Sequence, residues 1–384
     1  MDGSRRVITS KDFTATLAAH GVDFVTGVPC SFLTGPIARL TEQNRYVPAA
    51  NEGAALAIAA GAAAAGRRAG VFAQNSGFGN LINPLTSLLM PYDIPVLVFM
   101  TLRGWPDPEQ DEPQHAVMGT STHSMLDAMG VRHWTLEDTS TDLDEVLRAA
   151  TTELAQGEPA FVLVPKGAIG AAKACLPPGL EAENRLARAD AMRLLLDALP
   201  GAPVVATTGY TARELFALGD ADRNFYMQGS MGHAMAFGLG IALARPEAEH
   251  VLVIDGDGGA LMHLGSMSTI GASAPGNLVH VVLDNGVYES TGAQTTRSAR
   301  VDFASIGQAT GYRTHQLCGT EAELKEAVVR IGQESGPHLL AVRTTPSVDT
   351  APPRATSAVR AGEIHHRFTT ALGTSAPWQA TGTA

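Results

Sequence analysis

With 384 residues and three cysteines, the chain is long enough for two domains but carries neither a disulfide ladder nor paired metal-ligand cysteines. A net charge of −11 argues against a general nucleic-acid binder, and 45% hydrophobic content argues against disorder. No apolar run reaches the ~20 residues of a membrane span.

Short β-rich runs alternate with helical stretches. In the first half the pattern predicts strands at 22–26, 70–74, 94–100 and 160–164, and helices at 10–20, 35–43, 53–66, 79–90, 120–129 and 142–156. The Ala-rich run 54–65 reads as a buried helix. The N-terminus leads into no apolar signal region, and Cys30, Cys175 and Cys318 lie far apart, so a cytoplasmic protein is expected. The pattern lapses around 170–190, where Pro177-Pro178-Gly179 and a polar stretch through Arg188 read as a linker. It then restarts with strands at 203–207, 251–255, 278–283 and 338–343, and helices at 189–199, 211–218, 233–244, 260–271, 301–310 and 320–334. An extended tail over 345–359 leads to a final helix over 360–372 that packs back on the body. The fold class is α/β, with two doubly wound parallel-sheet domains at 1–180 and 190–345 and a tail at 346–384.

The strongest chemical signal starts at Val251-Leu252-Val253-Ile254-Asp255-Gly256-Asp257-Gly258-Gly259, a hydrophobic strand running into a glycine turn with an acid at its centre. Twenty-five residues separate Gly258 from Asp284-Asn285, which close the next strand. Neighbouring parallel strands bring their C-terminal ends together, where ligands bind. An Asp and an Asn there can share a hard cation such as magnesium, and the glycines let backbone amides approach a diphosphate. The plain alternative is an acidic turn of a dinucleotide fold, but GDGG is not the GxGxxG turn that a dinucleotide needs. In the first half, Asn51-Glu52-Gly53 opens the Ala-rich helix with a carboxylate, which alone is equally a helix cap. Gly229-Ser230-Met231-Gly232-His233 sets a large apolar residue between small ones at a strand–helix turn.

Segment 256–285 resembles the thiamine-diphosphate motif, GDG followed by about twenty-five residues and Asn-Asn, with Asp284 at the first Asn. The resemblance implies that thiamine diphosphate and Mg²⁺ are the cofactors. It implies that Asp257 and Asn285 bind the metal together with the Val287 backbone carbonyl, while Gly256, Gly258 and Gly259 approach the diphosphate. Glu52 would exchange a proton with the aminopyrimidine ring, the Gly229 carbonyl would accept from its amine, and the Ser230-Met231 turn would support the bent cofactor.

Many thiamine decarboxylases carry a middle domain for which this chain has no room. The two-domain plan resembles the phosphonopyruvate and sulfopyruvate decarboxylases. So do Gly27-Val28-Pro29-Cys30-Ser31-Phe32, Asn75-Ser76-Gly77 with Gly79-Asn80, Arg103-Gly104, Asp111-Glu112-Pro113-Gln114-His115, Gly209-Tyr210-Thr211-Ala212-Arg213-Glu214-Leu215 and Ser290-Thr291-Gly292-Ala293-Gln294. Cys30 replaces the Asp usual in the first of these. A small anionic 2-oxo acid is the expected partner: Arg103 is suited to a bidentate grip, Ser31 and Asn75 to hydrogen bonding, and His115 to anion binding or proton transfer. The resemblance further implies decarboxylation of phosphonopyruvate in phosphonate, possibly antibiotic, biosynthesis. It also implies a homodimer or larger assembly in which Glu52 and Asp257 meet from different chains. Sulfopyruvate decarboxylation is the nearest alternative; a carboligase and a catalytically silent, cofactor-binding or regulatory subunit are the others.

Overall fold

Long β-branched and leucine-rich runs, buried on both faces, form the centres of two parallel sheets. The structure, a computed structural model, describes residues 7–136, 142–170, 176, 185–347 and 351–374. It divides into two units, Met1–Cys175 and Leu176–Ala384. Cys175 and Pro177-Pro178-Gly179 lie outside the described residues.

The first unit has strands β1 (Phe24–Gly27), β2 (Tyr46–Pro48), β3 (Ala69–Gln74), β4 (Leu97–Leu102), β5 (Arg132–Thr135) and β6 (Ala160–Pro165). They pair in the order β2-β1-β3-β4-β6-β5, all parallel. Its helices are α1 (Ser10–Ala19), α2 (Thr34–Glu42), α3 (Glu52–Ala64), α4 (Phe78–Pro84), α5 (Ala116–Ala128) and α6 (Leu143–Leu154). One core gathers Phe13, Phe72 and Phe99 edge to edge with Leu17 and Ile37; another packs α3 and α4 through Leu56, Ala59, Phe78 and Leu81. The Ala-rich helix α3 buries Ala55, Leu56, Ala59 and Ala60 but leaves Ile58 at 38% exposure, so it is covered on one face rather than enclosed.

The second unit has β7 (Leu186–Ala187), β8 (Val204–Ala206), β9 (Asn224–Tyr226), β10 (Val251–Gly256), β11 (Leu278–Asp284), β12 (Val287–Tyr288), β13 (Gln294–Thr295), β14 (Thr314–Cys318) and β15 (His338–Thr345). The main sheet runs β14-β15-β11-β10-β8-β9, with β7 paired to the end of β15 and β12-β13 forming a separate antiparallel hairpin. Its helices are α7 (Arg188–Ala198), α8 (Tyr210–Leu218), α9 (Ala234–Ala244), α10 (Asp257–Met262), α11 (Ser266–Ser273), α12 (Phe303–Thr310), α13 (Glu321–Ile331) and α14 (Ala361–Ala371). The final helix packs back through Ile364 and Phe368, whose ring meets Phe225 at 5.4 Å, and Arg367 bonds Asp220 and Asp222.

Three expectations change. The helix read over 79–90 is regular α-helix only over Phe78–Pro84, and it continues as a wider π-helical turn over Leu85–Leu89 and a tight turn over Met90–Tyr92, with Pro84 and Pro91 offering no backbone N–H. The helix read over 260–271 is two, broken at His263–Gly265, so that α10 can start on the glycine turn. Arg188, read as the end of a polar linker, opens α7 and is buried: Nη2 donates to Glu214 at 3.0 Å and Nη1 to Glu289. Glu289 also accepts from the Ser347 backbone at 2.7 Å.

Candidate active site

In the second unit the adjacent strands β9, β8, β10 and β11 all end on one edge of the sheet, and the residues singled out from the sequence follow them. Gly229–Met231 come after β9, Asp257 after β10, and Asn285 after β11. Ser230 takes a left-handed φ of 52°, and Gly232 one of 85°. A Cβ on Gly232 would lie 2.6 Å from His263 and 3.0 Å from the Gly259 carbonyl, so the Met231 turn sits directly on the GDG turn. Gly258 is needed for the same reason: its Cβ would lie 2.2 Å from the Tyr288 ring.

Asp257 is buried and accepts a hydrogen bond from Thr296 Oγ1. Burial, reinforced by the nearby Asp284 charge, pushes its carboxyl above the ordinary aspartate range. Asn285 Oδ1 accepts from the Val287 backbone at 3.0 Å. A buried carboxylate held above its usual pKa, an amide oxygen and a turn stripped of side chains form an oxygen donor set, which suits a hard divalent cation with phosphate oxygens completing its shell. Behind the turn, Asp255 is fully buried and its carboxyl is pushed up to about 7 by burial. Oδ1 accepts from the Gly256 backbone at 3.0 Å, while Oδ2 faces His280 Nε2 at 3.9 Å.

In the first unit Ser31 follows β1, Asn75 follows β3 and Arg103 follows β4, three adjacent strands. Glu52 is the first residue of α3, after β2, with Asn51 capping the helix by accepting from the Ala54 backbone at 2.9 Å. Its carboxylate turns inward, 6% exposed, and accepts from Asn80 Nδ2 at 2.7 Å. Burial raises its pKa, and the Asn80 bond opposes this only in part. Gly77 makes room: a Cβ there would lie 2.1 Å from Glu52 Oε1.

Two residues expected on the substrate are engaged by protein partners in this structure. The bidentate face of Arg103, expected on the substrate, is taken by Asp111: Nε donates to Oδ2 at 2.8 Å and Nη2 to Oδ1 at 2.5 Å. Glu112 lies at 3.5 Å, and the guanidinium stacks over Phe32 at 5.5 Å. Asn75, expected to reach the substrate, is wholly buried: Nδ2 donates to the Arg103 carbonyl at 2.9 Å and Oδ1 accepts from the Arg103 backbone at 3.0 Å. It holds the arginine's backbone rather than facing a ligand. His115 bonds Asp111 through Nδ1 at 3.1 Å. Burial, then the Arg103 charge, lowers its pKa. A carboxylate can only accept, so Nδ1 is the nitrogen that donates to Asp111, and in the neutral form that the lowered pKa favours Nε2 is an acceptor. Ser31 opens a short helical turn, its carbonyl accepting from Thr34 Oγ1 at 2.9 Å. Cys30 is a buried thiol pushed up to about 11 by burial, so the position usually acidic in the resembled family is uncharged here. A cavity of about 220 Å³ opens where β4 and β6 end, lined by Trp105, Gln110, Asp111 and Lys166 among others.

Asn80, Asp111, Thr296 and Ser298 were not singled out as site residues, although the first two lie in segments that carry the resemblance. Thr296 and Ser298 follow the β12–β13 hairpin in a turn around left-handed Arg297, where no strand or helix period marks them in the sequence.

Comparison with known proteins agrees with this geometry. Residues 9–125 match the family described as thiamine pyrophosphate enzyme, N-terminal TPP binding domain, and residues 211–342 match the C-terminal TPP binding domain. The chain is 42% identical to a phosphonopyruvate decarboxylase of Streptomyces viridochromogenes, covering 98% of this chain and 99% of that one. It is also 42% identical to a phosphonopyruvate decarboxylase of Streptomyces hygroscopicus over 87% of each. A sulfopyruvate decarboxylase of Methanosarcina acetivorans is 29% identical over 80% of this chain and 84% of its own. The buried glutamate, the GDG turn and the full-length likeness agree, and the chain belongs to the phosphonopyruvate decarboxylase family of thiamine-diphosphate enzymes.

Proposed function

We propose that this chain catalyses the non-oxidative decarboxylation of phosphonopyruvate to phosphonoacetaldehyde and carbon dioxide, with thiamine diphosphate and Mg²⁺, in phosphonate biosynthesis. The observation that carries the substrate is likeness over essentially the full length to a phosphonopyruvate decarboxylase, against a lower and shorter match to a sulfopyruvate decarboxylase. When bound, thiamine diphosphate supplies the carbon nucleophile and the electron sink that loss of carbon dioxide from a 2-oxo acid requires.

Asp257, Asn285 and the Val287 carbonyl would hold the metal, with Gly256, Gly258 and Gly259 beside the diphosphate and the Gly229–Met231 turn beneath the rings. Glu52 holds a proton to higher pH than an exposed glutamate, which suits exchange with a pyrimidine nitrogen. Neutral His115 offers Nε2 for proton transfer. Ser31 would donate to the substrate's acid group, while Asn75 and Arg103 serve the pocket through the Asp111 knot. Glu52 and Asp257 lie in separate units, and the family resemblance supports reading them as meeting across a subunit boundary, in a homodimer or larger. Cys30 and Cys318 are free thiols, in keeping with a cytoplasmic enzyme, and no described helix is long and apolar enough to cross a membrane.

The test is carbon dioxide release from phosphonopyruvate and from sulfopyruvate, with and without both cofactors. Cofactor-dependent turnover favouring phosphonopyruvate is expected; preference for sulfopyruvate would replace the substrate and keep the chemistry.

A further inference from the structure

Glu289 and its partner Arg188 are both buried, 7% and 8% exposed. The cost of taking two charges out of water can exceed what their attraction returns, so a buried pair is a poor source of net stability. What such a pair can supply is position. Glu289 lies just past Val287, in the loop that follows β11 and Asn285.

Both oxygens of Glu289 are engaged. Oε2 accepts from Arg188 Nη1, and Oε1 accepts from the Ser347 backbone at 2.7 Å. The two donors come from the stretches where the chain enters and leaves the main sheet. β7 pairs with the end of β15, Ala187 beside Thr345, and Arg188 and Ser347 lie just beyond these two residues. The rest of the guanidinium is held by α8. Nη2 and Nε donate to Glu214 Oε2 at 3.0 and 3.3 Å, and the group lies 5.8 Å from the centre of the Tyr210 ring.

The neighbours of Glu289 are seated as well. The Tyr288 ring fills the space that a side chain on Gly258 would need, and Ser290 Oγ lies 3.3 Å from where a Cβ on Gly209 would stand, at the head of α8. Three consecutive loop residues thus meet the GDG turn, the Arg188 guanidinium and the helix that also carries Glu214.

We propose that Arg188 is a positioning residue for the cofactor: through Glu289 it fixes the loop that presents the Val287 carbonyl and the Tyr288 ring beside the GDG turn. The inference rests on the metal and thiamine-diphosphate site proposed above. Removing a group that orients a metal ligand from behind typically costs ~10–100-fold in affinity or activity.

The experiment is calorimetric titration of thiamine diphosphate, at saturating Mg²⁺, into the full-length apoprotein of the wild type, Glu289→Gln, Arg188→Lys and the double variant. Urea unfolding of each apoprotein and kcat at saturating cofactor are measured beside it. Glu289→Gln keeps the shape and an acceptor for Ser347, and leaves Arg188 its bonds to Glu214, so it is expected to fold. Its dissociation constant for thiamine diphosphate should rise ~10-fold or more, with a smaller fall in kcat once the cofactor saturates. Arg188→Lys replaces the fork by a point charge that cannot hold both acids, and should weaken binding in the same direction. The double variant should bind about as weakly as the weaker single variant, because both changes act through one contact. A folded Glu289→Gln protein that binds thiamine diphosphate like the wild type overturns the positioning role, even if its unfolding midpoint is lowered; so do losses that add in full in the double variant. If Glu289→Gln fails to fold, wild-type binding by Arg188→Lys overturns the role in its place. A wild type that binds no thiamine diphosphate overturns the cofactor site itself, and the positioning role with it.

Discussion

Asn80 Nδ2 donates to Glu52 Oε2 at 2.7 Å, joining the head of α3 to α4 in the interior of the first unit. This bond offsets only part of the burial that raises the carboxyl's pKa. A group whose pKa is raised by folding lowers stability as pH climbs past its value in the unfolded chain. Glu52→Gln keeps the shape and removes that cost. The apoprotein of this variant should be more stable at neutral pH by about 1 kcal/mol, while kcat falls ~10²–10⁴-fold. Urea unfolding and steady-state decarboxylation check the two halves; lost activity together with lost stability would mean that the carboxylate is structural.

Gly77→Ala tests the same group from outside. The added methyl would lie 2.1 Å from Glu52 Oε1, and the flexible glutamate is what can move. The expected result is a folded protein with kcat reduced ~10²-fold or more. Far-ultraviolet circular dichroism beside kinetics distinguishes displacement of Glu52 from misfolding.

Asp111→Asn removes the carboxylate that fills the Arg103 fork. In the wild type the Arg103 hydrogen bond and two backbone donors outweigh burial and hold the Asp111 pKa well below the ordinary aspartate range. Its stabilisation is thus present above the unfolded value and lost only as pH falls into strong acid. The variant should lose about 2 kcal/mol at neutral pH, because it leaves a part-buried guanidinium with only the Glu112 carboxylate, at 3.5 Å, as a charged partner. Asp111 also raises the His115 pKa, against burial and Arg103, so in the variant the imidazole should titrate still lower. Nuclear magnetic resonance titration of the imidazole, beside urea unfolding, reads both effects.

Asp255→Asn addresses pH dependence in the second unit. Burial pushes Asp255 from 3.8 to about 7, and His280 beside it is held down to about 3 by burial, so no countercharge is supplied. Asp255 by itself takes away at most about 1.4 kcal/mol of stability per pH unit as pH rises from about 4 towards 7, while His280, held low by burial, opposes this by adding stability as pH rises towards 6.5. Removing the Asp255 contribution, the Asn variant should gain stability relative to the wild type as pH rises through this range and be more stable at pH 7. Unfolding curves at a series of pH values decide; an unchanged slope would contradict the assignment.

The sequence was legible where burial is symmetrical. All eight strands read from apolar runs are interior strands: β1, β3, β4 and β6 in one sheet, β8, β10, β11 and β15 in the other. The strands not read are the four edges of the two main sheets, β2, β5, β9 and β14, together with the two-residue strands β7, β12 and β13. Runs such as Arg132-His133-Trp134-Thr135 and Thr314-His315-Gln316-Leu317-Cys318 are only half covered, and lack the continuous apolar signature of a buried parallel strand. The glycine turn and Glu52 could be placed because backbone requirements write themselves into local sequence. The pairing of Arg103 with Asp111 could not: a basic residue facing a ligand and one facing an acid look identical until the chain folds. The inward turn of Arg188, met by Glu289 roughly a hundred residues later, was hidden in the same way.

Carbon dioxide release from phosphonopyruvate, measured beside sulfopyruvate on the apoprotein with and without added thiamine diphosphate and Mg²⁺, tests the central claim most directly. Turnover that appears only with both cofactors and strongly favours phosphonopyruvate is the result expected. Turnover of phosphonopyruvate that needs neither cofactor, or no turnover of it with both present, would contradict the account.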